Sequence, residues 1–235
     1  MKHTQALLVF ARNPVAGQVK MRMVDPFSPE ESAELYRAFL QDALMRFTTI
    51  PHTDVFLFLP PERTSIPEIT LPPDIPTLPQ QGRTFAERQR KAFQTIFERG
   101  YRRCVATSTD CPTLPMEYIQ RAFMELKEAN SVTIGPSLDG GYYLMGMNQL
   151  YPELFEGMTY SHPGVFEDTI LRITATGARL VVLPPWYDVD TPEDLTRLAA
   201  DLAFSPLELP HTRKIVAHLI EKYPLLASIE AFANL

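Results

Sequence analysis

"ALLVFARNPVAGQVKMR", residues 6–22, joins an apolar run to a loop that ends in two cations. The run is short for a helix and has the length of a strand buried on both faces. After it come a proline, a glycine, Lys20 and Arg22. Ligands of an α/β sheet bind at the carboxyl ends of its strands, where this loop begins. Free backbone N–H groups followed by cations suit a pyrophosphate. The loop lacks the Walker A spacing, and no G-x-G-x-x-G occurs anywhere in the chain. Taken alone, it reads equally well as a phosphate loop or as a turn followed by solvated cations.

Outward from this stretch, strand-length runs alternate with helical periodicity. "SPEESAELYRAFLQDALMRF" (28–47) has a Ser28 N-cap, a proline at its first position and Glu31 to complete a capping box. Its apolar residues then recur every 3.6 positions. "DVFLFL" (54–59) and "RCVATS" (103–108) read as strands. Between them Thr84 and Glu87 form a second capping box, and its helix ends near Gly100. A helix near 115–129 and a strand at 131–134 follow. This order predicts a mostly parallel, twisted sheet with helices on both faces. The loops after residues 11, 108 and 134 then share one rim. Residues 141–147 and 179–184 are further strands, with a helix near 164–176 between them. A helix at 191–203 closes the core. The prolines crowding 51–79 indicate a long irregular connection.

The chain has 235 residues, enough for one large domain. Its net charge of −6, without like-charge blocks, argues against nucleic acid as a partner, because phosphate binding needs a basic face. Two cysteines, Cys104 and Cys111, are too few for a disulfide framework. No apolar run approaches the roughly 20 residues of a membrane span. Arg12 interrupts the first apolar run and no small-residue cleavage site follows, which disfavours a signal peptide. The expected location is cytoplasmic. The tail, 204–235, reads as two short helices split at Pro224. It either packs on the main domain or supplies a homodimer contact.

Four more stretches carry chemistry. In "STDCPTLP" (108–115), Asp110 falls on the ligand rim. There it suits Mg²⁺ or Mn²⁺, or simply closes an Asx-turn. In "GPSLDGGYYLMG" (135–146), Asp139, Gly140 and Gly141 fit a hairpin turn. With Tyr142 they equally form a wall for a sugar or acceptor. "TYSHPGVFEDT" (159–169) holds Ser161 and His162, neighbours whose side chains diverge in an extended segment. They are not a catalytic dyad, and the nucleophile elbow of hydrolases is absent. In "DVDTPEDL" (188–195), Thr191, Glu193 and Asp194 are explained by a helix start. Asp188 and Asp190 are not. They alternate around Val189 and are expected to point together towards the rim.

The blocks "FARNPVAGQVKMRM", "QGRTFAERQRKAF", "TDCPTLP", "GPSLDGGYYLMG", "ELFEGMTYSHPGVFEDT" and "DVDTPEDL" occur in this order. Together they resemble the radical-SAM/selenodomain-associated glycosyltransferase-like family, which includes arsenosugar-biosynthesis-type glycosyltransferases. That family belongs to the nucleotide-diphospho-sugar transferase superfamily. It is also similar to the phospholactate guanylyltransferases. The resemblance covers about residues 5–200 and implies a three-layer α/β/α GT-A fold with a mostly parallel mixed central sheet over 1–203. Residues 204–235 are then a helical extension.

The resemblance further implies an NDP-sugar donor, a small-molecule acceptor and Mg²⁺ or Mn²⁺. Ala11, Arg12, Gly17, Lys20, Arg22, Gly82 and Arg88 would form the nucleotide side. Asp110 and Asp190 would hold the metal, with Asp188 nearby. Asp139, Gly140, Gly141, Tyr142, Ser161 and His162 would face sugar and acceptor. Asp139 would be the general base, with Lys20 and Arg22 assisting the departing diphosphate. Nucleotidyl transfer to a phosphorylated small molecule needs the same cradle and is the alternative. Met21 and Thr84 depart from the family's V-K-T-R-L and G-x-D-L-G-x-R patterns, which motivates a third reading, a non-catalytic nucleotide-binding protein.

Overall fold

The computed structural model describes residues 3–61, 66 and 69–224. The elements follow in the order β1 (Gln5–Phe10), α1 (Pro29–Phe47), β2 (Thr53–Leu59), β3 (Thr77–Pro79), α2 (Phe85–Glu98), β4 (Arg103–Thr107), α3 (Met116–Glu125), β5 (Ser131–Pro136), β6 (Tyr142–Met147), α4 (Val165–Ala175), β7 (Arg179–Val182), α5 (Pro192–Phe204) and α6 (Pro210–Lys222). Among the described residues the sheet has seven strands in the order β3-β2-β1-β4-β6-β5-β7. All neighbours are parallel except those of β6, which runs antiparallel between β4 and β5. The expected mixed, mostly parallel sheet is the observed one.

β1 is buried along its whole length, so both of its faces need apolar cover. Its side chains alternate accordingly. Leu7 and Val9 join a core with Tyr36, Leu40 and Leu44 of α1 and Ile119 and Phe123 of α3. Ala6, Leu8 and Phe10 join a second core with Phe93 and Ile96 of α2 and Val165 and Ile173 of α4. The sheet thus lies between two helical layers.

From β1 the chain steps outward to β2 and β3, then returns to place β4 on the other side of β1. The gap between β1 and β4 is therefore a topological switch point, where α/β sheets open a crevice at their carboxyl edge. The loops after β1 and β4 flank it. β6, being antiparallel, begins at that same edge. The β5–β6 hairpin, 137–141, consequently sits beside the crevice.

The two capping boxes at Ser28–Glu31 and Thr191–Asp194 form as read. The third differs. Thr84 accepts from Glu87 N, but the Glu87 carboxylate takes the N–H of Arg83 rather than that of Thr84. β3 lies inside the proline-rich connection read as irregular. Pro79 is tolerated there because β3 is the sheet edge.

Of the two tail helices, the second falls outside the described residues. The first, α6, lies on α1 and α5, with Val216 and Leu219 buried among Leu35, Phe39 and Leu198. It runs antiparallel to α1, and both of its ends are pinned. At one end Glu31 accepts from Lys222 Nζ at 2.6 Å and Tyr223 OH at 2.8 Å. At the other, Asp42 of α1, 1% exposed, accepts from His211 N at 3.3 Å and Thr212 N at 2.7 Å. The N-cap residue of α6, Leu209, has no side chain to do this. Asp42 is a cap supplied from another helix. Asp42→Ala should therefore cost about 1–3 kcal/mol, because it strands the buried N–H of Thr212 and the partly buried one of His211. Urea denaturation checks this, and an unchanged midpoint would remove the cap from the account.

Candidate active site

Two adjoining cavities, of about 810 and 670 Å³, open along the carboxyl edge and share Phe10, Arg12, Arg22, Phe85, Ser108 and Asp190. The first is lined by the loop after β1 and by Gln80, Arg88 and Asp110. The second is lined by the 137–141 hairpin and by Tyr142, Tyr160, Ser161 and His162.

Lys20 stands at the centre. Its backbone is left-handed, with φ 48°, at the start of the 3-10 turn Met21–Met23. That turn sends its side chain inward, past the rings of Tyr36 and Phe39 at 5.9 and 5.7 Å. The ammonium reaches Asp110 in a short contact and Asp190 Oδ1 at 2.8 Å, with only 3% of the side chain exposed. Arg22, mostly exposed, makes a short contact with Asp190 Oδ2. Burial opposes a charged lysine, but the two carboxylates overcome it and hold the Lys20 pKa above its ordinary value. Burial also opposes the charge on Asp190, and Lys20 and Arg22 reverse this, lowering its pKa. Three loops, after β1, β4 and β7, thus meet as two acids and two bases.

Asp188 does not share this point. Its Oδ1 accepts from Cys111 Sγ at 2.8 Å and its Oδ2 takes a short bond from Ser137. Burial pushes its carboxyl up to about 6. It acts as a strut joining the β4 loop, the hairpin and the segment before α5. Val189 N reinforces the strut by donating to Asp110 O at 2.9 Å. Cys111 is packed into this joint, and burial pushes its thiol pKa well above the ordinary value, followed by the charge of Asp188. It is chemically quiet.

The remaining sequence candidates divide in two. Ala11, Arg12 and Arg88 line the first cavity; Asp139, Gly141, Tyr142, Ser161 and His162 line the second. Asp139 is exposed and its Oδ1 accepts from Gly141 N at 2.9 Å. His162 Nδ1 accepts from Gly164 N at 3.2 Å. Gly17, Gly82 and Gly140 line neither cavity. A Cβ on Gly82 would meet Arg88 N at 2.9 Å, so Gly82 serves the packing of α2 against its own entry loop.

Sequence reasoning missed Gln80, Gln89 and Tyr160. Gln80 is 6% exposed, and its Nε2 donates to Ala11 O at 2.8 Å and Phe58 O at 2.9 Å. Both amide hydrogens are thereby spent, and Oε1 is left as an acceptor at the cleft wall. Gln89 Oε1 accepts from Tyr142 OH at 2.8 Å and Tyr160 OH at 3.0 Å. The two tyrosines, with Phe85 edge-on to Tyr160 at 4.9 Å, make one aromatic wall. Nothing local in the sequence singles out Gln89, because its partners are 53 and 71 residues away.

The site's chemistry fits a hard divalent ion. Two carboxylates converge on one point, and the Lys20 ammonium stands in for a cation there. Among the described residues no group of three or more acidic, histidine or cysteine side chains gathers round a point. Mg²⁺ commonly takes only one or two carboxylates, with water and substrate phosphates completing its shell. Among the described residues no helix is long and apolar enough to cross a membrane.

Residues 43–162 match the family described as "Uncharacterized protein conserved in bacteria (DUF2064)". No curated protein matches the chain. Among solved structures, one named "putative nucleotide-diphospho-sugar transferase" from Desulfovibrio desulfuricans G20 is 30% identical, with a TM-score of 0.85 over 95% of this chain and 97% of that one. A 4-diphosphocytidyl-2C-methyl-D-erythritol synthase from Anaerococcus prevotii DSM 20548 is 12% identical, with a TM-score of 0.56 over 86% of this chain and 97% of that one. A CMP:2-keto-3-deoxy-manno-octonic acid synthetase, solved with CTP, is 11% identical, with a TM-score of 0.52 over 85% and 98%. The last two likenesses are of fold alone.

Proposed function

The chain belongs to the DUF2064 family of bacterial proteins, and from that premise we propose that it moves a sugar from an NDP-sugar donor to a small hydroxyl acceptor with the help of Mg²⁺ or Mn²⁺. The resemblance of its motif blocks to the radical-SAM-associated, arsenosugar-type glycosyltransferases supports this reading. The convergence of Asp110, Asp190, Lys20 and Arg22 on the switch point carries the reading.

The rim order gives the donor a direction. Gln80, after β3, takes the base end through an N–H of the nucleobase. Lys20, Arg22, Arg12 and Arg88 take the diphosphate, where cations meet phosphate oxygens in charge-assisted bonds. Asp110 and Asp190 hold the metal, which supplies neutralising charge to the departing diphosphate. The sugar lies towards the hairpin. The acceptor rests on the aromatic wall of Tyr142 and Tyr160, with Ser161 and His162 at its edge. The second oxygen of Asp139 removes the acceptor's hydroxyl proton as the new bond forms. Thr84 supports an active site despite its departure from the pattern. It still caps α2, a task threonine and aspartate share.

Arg12 and Arg22 line both cavities, which favours as second reading a nucleotidyl transfer to a phosphorylated acceptor. Products separate the two: an NDP from an NDP-sugar, or pyrophosphate from a triphosphate.

Thermal denaturation with NDP-sugars, NDPs and NTPs, with and without Mn²⁺, tests the donor site. A ligand at about 100 times its Kd adds about 2.7 kcal/mol. For a chain of this size that raises Tm by about 5–10 °C. Absence of any shift, with metal or without, would sink the proposal.

A further inference from the structure

The two acids assigned to the metal already hold a cation of the chain's own. Lys20 Nζ bonds to both Asp110 and Asp190, and its side chain is 3% exposed. A divalent ion bound by the same oxygens would stand about 2.0–2.1 Å from them. It would overlap the ammonium, and two cations cannot share that point. Lys20 and Arg22 together match the charge of the acid pair, so the donor-free site has no net attraction for a further cation.

We infer that Lys20 is the resident counter-ion of the Asp110–Asp190 pair and suppresses divalent-metal binding until the donor's phosphates draw it away. This rests on the metal reading of the same two acids. Its physical basis is the cost of an unpaired buried charge. Lys20 cannot leave the carboxylates for the space between Tyr36 and Phe39 without a new anionic partner. The diphosphate is such a partner, placed by the same loop. Linkage then requires metal and donor to raise each other's affinity by the same factor.

Mn²⁺ alone, titrated into the full chain and followed by the electron paramagnetic resonance of the free ion, tests this without any turnover. Wild type should bind weakly. Lys20→Met and Lys20→Gln, both neutral, should each bind at least ten-fold more tightly, and Lys20→Arg should stay as weak as wild type. Adding Asp110→Asn to either neutral variant should remove the gain. The two neutral variants guard against a folding defect in one, and a thermal melt of each confirms that it is folded. Equal binding by wild type and neutral variants, weakened in all by Asp110→Asn, overturns the role of Lys20 and leaves the metal reading standing. No binding by wild type or by either neutral variant overturns the role of Lys20, and the metal reading falls with it if the donor's thermal shift is also the same with and without Mn²⁺.

Discussion

Asp190→Asn is expected to lower transfer by about 10²–10³-fold, the usual loss when one preorganised electrostatic contact to a developing charge is removed. It should also abolish the metal-dependent part of the donor's thermal stabilisation. Asparagine keeps the shape of the side chain but removes its charge and turns one of the two acceptor oxygens, which serve Lys20 and Arg22, into an NH2 donor. The local backbone is held independently, because Asp190 N donates to Asp194 Oδ2 at 3.0 Å. Lys20 retains Asp110 as a partner. The fold should therefore survive, and the loss should appear in kcat/KM rather than in the yield of folded protein. Asp110→Asn should behave alike.

The pH profile sharpens the test. Burial works to raise the Asp190 pKa, but Lys20 and then Arg22 prevail and depress it. The carboxylate thus stays ionised well below neutrality, and its stabilising pairing is lost only as pH falls through that depressed value. The ratio of wild-type to variant rates should be flat between about pH 5 and pH 8, since an ordinary aspartate already titrates near 3.9. Wild-type rates and a persistent metal-dependent shift in both variants would end the assignment of the acid pair.

What the sequence showed of this site was whatever local patterns carry. Ser28–Glu31 and Thr191–Asp194 are complete within four residues, so both helix starts were legible to the residue. That the loops carrying Lys20 and Asp110 follow strand ends was legible from the apolar runs alone. What stayed hidden depends on partners far along the chain. Gln80 bonds to residues 69 and 22 positions away, and Asp42 caps a helix about 170 positions away. Asp188 and Asp190 illustrate the boundary. Alternation placed them on one side of an extended segment. It could not reveal that Cys111 and Ser137 would claim the first while Lys20 and Arg22 claimed the second. β3 was hidden for another reason, since three residues ending in proline carry no period.

Gly140→Ala is expected to cost about 2–5 kcal/mol, combining left-handed backbone strain with overpacking. Gly140 has φ +89°, and a Cβ there would stand 2.1 Å from Pro163 O and 2.7 Å from Pro163 C. Those atoms are backbone, so no rotamer change relieves the clash. Retreat of the 160–165 loop is opposed by Phe166 N, which donates to Gly140 O at 2.9 Å and ties the hairpin to the start of α4. The hairpin and that loop both line the second cavity and touch each other beside it, so pushing them apart should reshape it. Donor binding in the first cavity should persist in the folded fraction, while KM for the acceptor rises. Gly17→Ala is the matching control. Gly17 also has positive φ, +74°, but nothing lies within 4 Å of its Cβ position. Only the backbone term remains there, about 1–2 kcal/mol. Equal urea midpoints for the two variants would show that the contact with Pro163 is not what requires glycine at 140.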